Sequence, residues 1–195
     1  MELLLIRHAR PLRVESVDGP ADPGLSDLGR RQAEALAAWL VPERIEAIYT
    51  SPLRRSVETA APLGDALGLT VTSDAALAEY DADATAYIPI EELRAAGDPR
   101  WMEGPDDIAG FQSRVAEGVD RLAAAHPSQR IALVCHGGVI NVVVSAVLGI
   151  GPRMIFLPAY TSISRVLVAS TGERSLASLN ETGHLRMADV PVVEL

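Results

Sequence analysis

Three short segments of this 195-residue sequence carry side chains that could do chemistry together. Arg7-His8 follows the apolar run Leu3-Leu4-Leu5-Ile6, Ser51 to Arg55 follows residues 45–49, and His136-Gly137-Gly138 follows residues 131–135. Each set stands where an apolar strand would end. In open α/β sheets, ligands bind beyond the carboxyl ends of the strands. If these strands are parallel, two imidazoles and two or three guanidiniums converge on one pocket. That set suits phosphoryl transfer, which depends mainly on positioning and charge stabilisation. Guanidinium forks match phosphate oxygens and keep their charge. A neutral imidazole can attack phosphorus, and neighbouring Arg charges lower its pKa and keep it neutral. The Gly-Gly after His136 lets backbone N–H groups approach an anion at a helix N-terminus. A zinc site on His8 and His136 fits less well, because nearby Arg would repel a cation and no H-E-x-x-H spacing is present. The common nucleotide and serine-hydrolase signatures are also missing. No metal and no cofactor are expected.

The elements that must position these residues follow from patterning. The continuous apolar run before Arg7 suits a strand buried on both faces. A Pro/Gly-rich loop over residues 11–24 leads to Ser26, the expected N-cap of a helix over 27–40. Residues 45–49 read as a second strand. Ser51 is the expected cap, and Pro52 the first turn, of a helix reaching about residue 63. A short strand near 70–72 precedes residues 78–110, which read as an irregular, lid-like excursion that could cover a site. A helix over 111–125 leads to the strand 131–135, and an apolar helix then runs to Gly149. Residues 162–169 and 175–180 read as a hairpin turning at Thr171-Gly172. Strands alternating with helices predict an α/β fold with a mostly parallel central sheet. With no repeat and no linker, residues 1–195 are expected to form one domain.

Composition narrows the setting. The formal net charge is −9, which argues against nucleic acid and against an anionic membrane surface. An anionic substrate would meet a repulsive mean field, so a local Arg cluster must overcome it. No apolar stretch is long enough to span a membrane and no signal peptide is legible, so the sequence predicts a cytoplasmic protein. The single cysteine, Cys135, excludes an internal disulfide and reads as a small buried hydrophobe. His126 and His184 read as surface residues. The apolar hairpin could offer an edge strand for a homodimer or simply close the sheet.

In this order the segments resemble the histidine phosphatase superfamily, also called phosphoglycerate mutase-like. Leu4-Leu5-Ile6-Arg7-His8-Ala9 is similar to its Arg-His-Gly signature. Ser51-Pro52-Leu53-Arg54-Arg55-Ser56-Val57-Glu58-Thr59-Ala60 resembles its second block, and Val134-Cys135-His136-Gly137-Gly138 its third. Leu25-Ser26-x-x-Gly29-x-x-Gln32-Ala33 fits its first helix. The resemblance implies a three-layer sandwich, helices flanking the sheet, and a phosphomonoesterase acting on a small phosphorylated metabolite. It implies that His8 becomes phosphohistidine and that Arg7, Arg55 and His136 hold the phosphoryl oxygens. Leu77-Ala78-Glu79 matches the family's Leu-x-Glu, which makes Glu79 the general acid. The Gly-x-Trp-Glu-Gly run after it is replaced by Asp81-Ala82-Asp83-Ala84, so Asp81 stands as the alternative. Gly137 and Arg10 are further candidate substrate contacts. Tyr80, Tyr87 and Trp101 could line the leaving-group side or pack the excursion onto the body. A phosphoglycerate mutase, a phosphohistidine-protein phosphatase and a phosphate-binding module without turnover are the alternative functions. The departures from the mutase pattern around Arg10 favour the phosphatase.

Overall fold

The computed structural model describes residues 1–151 and 154–193. In chain order the elements are β1 (Glu2–Arg7), β2 (Val14–Glu15), α1 (Asp27–Leu40), β3 (Ala47–Thr50), α2 (Arg54–Leu67), β4 (Val71–Ser73) and β5 (Ala86–Tyr87). They continue with α3 (Ile90–Ala95), α4 (Ile108–Ala125), β6 (Arg130–Cys135), α5 (Gly137–Leu148), β7 (Ile163–Val168), β8 (Arg174–Glu181) and α6 (Gly183–Met187). Six strands form one sheet in the order β4-β3-β6-β1-β7-β8. The first four run parallel, whereas β7 and β8 join antiparallel.

Strand geometry sends alternate side chains to opposite faces, which explains the unbroken apolar run of β1. Leu3 and Leu5 pack with Val115 and Val119 of α4 and Val139 and Val143 of α5. Leu4 and Ile6 pack on the other face with Leu36 and Leu40 of α1 and Leu63 of α2. The result is the helix–sheet–helix layering that the α/β pattern implies. Cys135 is buried in the first of these clusters. Among the described residues, no helix is long and apolar enough to cross a membrane.

Several boundaries differ from expectation for local reasons. Helix α2 runs past Pro62 and ends at Gly68, whose φ of 64° closes it in a left-handed cap. Helix α4 starts earlier than expected because the Asp107 side chain accepts a hydrogen bond from Gly110 N–H and caps it. The excursion thus ends at about Asp107. It is tied to the loop after β1, where β2 pairs antiparallel with β5, Val14 opposite Tyr87. Two further backbone bonds, Ser16 N–H to Thr85 and Ala21 N–H to Ala84, extend that seam.

Candidate active site

Strand registry brings the three sequence segments together. Arg7 lies opposite Cys135 in the β1–β6 pair, and Thr50 lies opposite Val134 in the β3–β6 pair. Arg7-His8, Ser51 and His136 therefore leave the sheet at one edge. Arg7, His8, Arg55, Glu79, His136 and Gly137 all line a cavity of about 290 Å³ there. Strand β7 runs the other way, so the residues just before it arrive at the same edge. This delivers Tyr160, whose ring centroid lies 4.1 Å from the Arg7 guanidinium carbon and 5.8 Å from the His8 ring centroid. Sequence reading missed Tyr160. The signal was available: a strand laid antiparallel beside β1 begins where β1 ends.

The loop carrying His8 is held by the other motif residues. His8 N–H donates to Cys135 O, and Ala9 N–H donates to Thr59 Oγ1 at 2.9 Å. Thr59 in turn donates to Arg55 O, so α2 and the His8 loop share one hydroxyl. Arg10 N–H donates to Gln32 Oε1, and Ser26 Oγ donates to Arg10 O while accepting from Gly29 N–H. A Cβ at Gly29 would lie 2.1 Å from Arg10 O, so only glycine lets α1 approach this closely. The Ser-x-x-Gly-x-x-Gln spacing is thus a cradle for the backbone just after His8. Thr161 N–H donates to Arg7 O at 3.1 Å, with Thr161 held at φ 57°. A β-branched residue in that region is uncommon and needs support. Thr161 Oγ1 donates to Tyr160 O, so the Nε2–H of His184 donates to Oγ1 at 2.9 Å. His184 is thus buried beneath the site, not on the surface, and burial lowers its pKa to about 4. His126 is half-buried and bonded to Tyr49.

The imidazoles are set in defined states. His8 Nδ1–H donates to Ala9 O at 2.8 Å, since a carbonyl can only accept, and this leaves the lone pair on Nε2. Burial, then the charges of Arg55 and Arg7, hold the His8 pKa well below the ordinary imidazole range. His136 is depressed likewise by burial, Arg55, His8 and Arg7. Its Nε2 lies 2.8 Å from Ser51 Oγ, which already accepts from Leu53 N–H. The Ser51 hydroxyl can therefore donate to Nε2 and leave a proton on His136 Nδ1. Ser51 was expected to cap α2, but Leu53 takes that position and Ser51 supports His136 instead. Arg7 Nε, Arg55 Nε and His136 Nδ1 are buried with no protein partner among the described residues. Buried donors rarely stay unpaired. Three around one cavity suit the oxygens of a tetrahedral anion.

Glu79 and Asp81 occupy different environments. Glu79 is buried, accepting from Gly138 N–H at 2.7 Å and Tyr80 N–H at 3.1 Å. A Cβ at Gly138 would lie 2.4 Å from Glu79 Oε1, so the second glycine of Gly137-Gly138 exists to admit this carboxyl group. At that helix start Gly138 N–H is thus taken by the protein's own carboxyl group, while Gly137 lines the cavity. Burial, then the Asp81 charge, pushes the Glu79 pKa up to about 7. Asp81 instead pairs with Arg55 Nη2 at 2.9 Å. Arg10 is not brought to the cavity wall: its Nε donates to Glu91 at 2.8 Å and its Nη2 to Glu92 at 3.3 Å. Tyr80, Tyr87 and Trp101 do line the cavity. Tyr87 also faces the Arg55 guanidinium at 4.6 Å.

Comparison with known proteins agrees with this geometry. The family model of the histidine phosphatase superfamily (branch 1) matches residues 3–182. The chain is 29% identical to phosphoserine phosphatase 1 of Hydrogenobacter thermophilus, over 95% of this chain and 94% of that protein. It is 32% identical to the glucosyl-3-phosphoglycerate phosphatase of Mycolicibacterium vanbaalenii, over 76% of this chain and 74% of that one. The solved complex of a mycobacterial glucosyl-3-phosphoglycerate phosphatase with inorganic phosphate shares the fold, with a TM-score of 0.73 at 24% identity over 94% of this chain and 98% of that one.

Proposed function

Because the chain belongs to the histidine phosphatase superfamily (branch 1), we propose that it hydrolyses phosphomonoesters of small molecules at this cavity through a phosphohistidine on His8, without a metal. The carrying observation is the state of His8, a buried neutral imidazole with its lone pair on Nε2 beside two guanidiniums. In the first step the Nε2 lone pair forms the N–P bond as the ester P–O bond breaks. Glu79 gives its proton to the departing alkoxide. In the second step the Glu79 carboxylate takes a proton from water, whose oxygen attacks phosphorus as the N–P bond breaks. His8 leaves neutral and phosphate is released. Arg7, Arg55 and His136 Nδ1–H hold the three phosphoryl oxygens and stabilise the charge they carry. Asp81 serves as the Arg55 counter-ion, and Arg10 anchors α3 without touching substrate. Residues 1–195 act as one unit, with the excursion as a lid over the cavity.

Hydrolysis of p-nitrophenyl phosphate should persist undiminished in EDTA. Rapid quenching with labelled substrate should trap a base-stable, acid-labile phosphoryl adduct. A requirement for added metal, or an acid-stable adduct, contradicts the reading. Ser51→Ala tests the support of His136. A lost hydrogen bond of about 0.5–1.5 kcal/mol should lower kcat/KM roughly 3- to 10-fold and weaken inhibition by inorganic phosphate in parallel. Unchanged phosphate inhibition would mean that Ser51 does not orient His136.

A further inference from the structure

The part of the cavity lining supplied by the excursion differs in chemistry from the strand-end residues around His8. Ile88, Ile90, Leu93 and Trp101 of the excursion line the cavity, together with Tyr80, and Leu157 adds a further apolar group. The charged groups there are mainly acidic. Asp81 and Glu103 line the cavity, and residues 78–110 carry nine acidic residues against two arginines. Among the described residues, the arginines of this region and of the loop after β1 are each paired or stacked. Arg100 lines the cavity but directs Nε and Nη2 onto the Asp98 carboxylate at 3.0 and 2.6 Å. Arg10 is held by Glu91 and Glu92, and Arg13 by Glu15. Arg94 faces the Trp101 ring at 5.1 Å. Arg7 and Arg55 lie at the phosphate end.

From this arrangement we infer that the preferred substrate is the monoester of an apolar or aromatic alcohol carrying no second anionic group. The inference rests on the phosphomonoesterase reading and names its substrate class. A leaving group bearing a carboxylate would lose water against apolar walls, face Glu103, and find among the described residues of this region no cation that is not already paired or stacked. An apolar arm would instead bury its surface against the same walls. Phosphoserine and 3-phosphoglycerate each carry such a carboxylate, and so are poor substrates here.

The test compares kcat/KM for 3-phenylpropyl phosphate, phosphoserine and 3-phosphoglycerate, measured by phosphate release from the intact protein. The 3-phenylpropyl alkoxide is no better a leaving group than the other two, so intrinsic reactivity does not favour it. The expected preference for the phenylpropyl ester is about tenfold or more, the scale of apolar-pocket discrimination. Leu93→Asp should reduce that preference by lowering kcat/KM for the phenylpropyl ester more than for phosphoserine. Equal or reversed preference in the wild-type protein overturns the inference, as does a Leu93→Asp variant that slows all three equally. p-Nitrophenyl phosphate separates the two levels. If it is turned over through the labile adduct while phosphoserine matches the phenylpropyl ester, only the substrate class is wrong. If it is not turned over, the phosphomonoesterase reading fails and takes this inference with it.

Discussion

Replacing His8 with alanine is expected to lower kcat by about 10⁴-fold or more, the scale seen when an enzyme loses its nucleophile. The phosphoryl adduct should disappear with it. The loop around His8 should survive, because its backbone bonds to Cys135 and Thr59 do not involve the imidazole. Phosphate binding should survive too, because the guanidiniums of Arg7 and Arg55 and the ring of His136 remain. The measurement is therefore paired: single-turnover kinetics with adduct trapping, and a dissociation constant for inorganic phosphate. Turnover within tenfold of wild type would remove His8 from the chemistry. Loss of both turnover and phosphate binding would show that His8 holds the pocket together.

Glu79→Gln should lower kcat for an alkyl phosphate by about 10²–10⁴-fold, the usual range for a positioned acid–base. With p-nitrophenyl phosphate the outcome should differ in kind. Nitrophenolate leaves without a proton, so the first step survives as a burst, while slow water attack limits the steady state. Asp81 as the acid predicts the reverse ranking, with Asp81→Asn the more damaging change. The pH dependence follows from the raised pKa of about 7. Glu79 must be protonated to donate, so kcat/KM for an alkyl ester should fall as pH rises through about 7, and the variant should lack that limb. Stability carries the same sign. The folded protein holds a proton that the unfolded chain releases near the ordinary carboxylate value. Stability is therefore full below that value and is lost as pH rises through about 7. Thermal melts should show wild type losing more stability than Glu79→Gln between pH 5 and pH 8.

What was legible in the sequence divides along a physical line. The run Leu3 to Ile6 announced a strand buried on both faces, and Arg7, Ser51 and His136 stood at the ends of strands whose parallel pairing brings them to one edge. These are short-range patterns. The misread residues are those whose partners come from elsewhere in the chain. Ser51 looks like a cap beside Pro52, yet its hydroxyl faces His136. His184 lies in a polar stretch, yet Thr161 buries it beneath Arg7 and His8. Arg10 follows the signature directly, yet acids from α3 turn it away from the cavity. Choosing between Glu79 and Asp81 required knowing that one meets Gly138 N–H and the other Arg55. Spacing alone carries no such information.

The central place of β1 has a consequence for how the protein comes to exist. Its two neighbours, β6 and β7, lie more than a hundred residues downstream, and the Arg7 guanidinium donates to Pro158 O, 151 residues along the chain. At a synthesis rate of about 5–20 residues per second, the first strand waits on the order of ten seconds for its partners. Until then Leu3 to Ile6 is an apolar ribbon with both edges unpaired, the kind of segment that invites association with other chains. Contacts of such high sequence separation also make for slow folding. The phosphate pocket is thus drawn from residues 7 to 158, and Arg7 meets Pro158 only after most of the chain has been made.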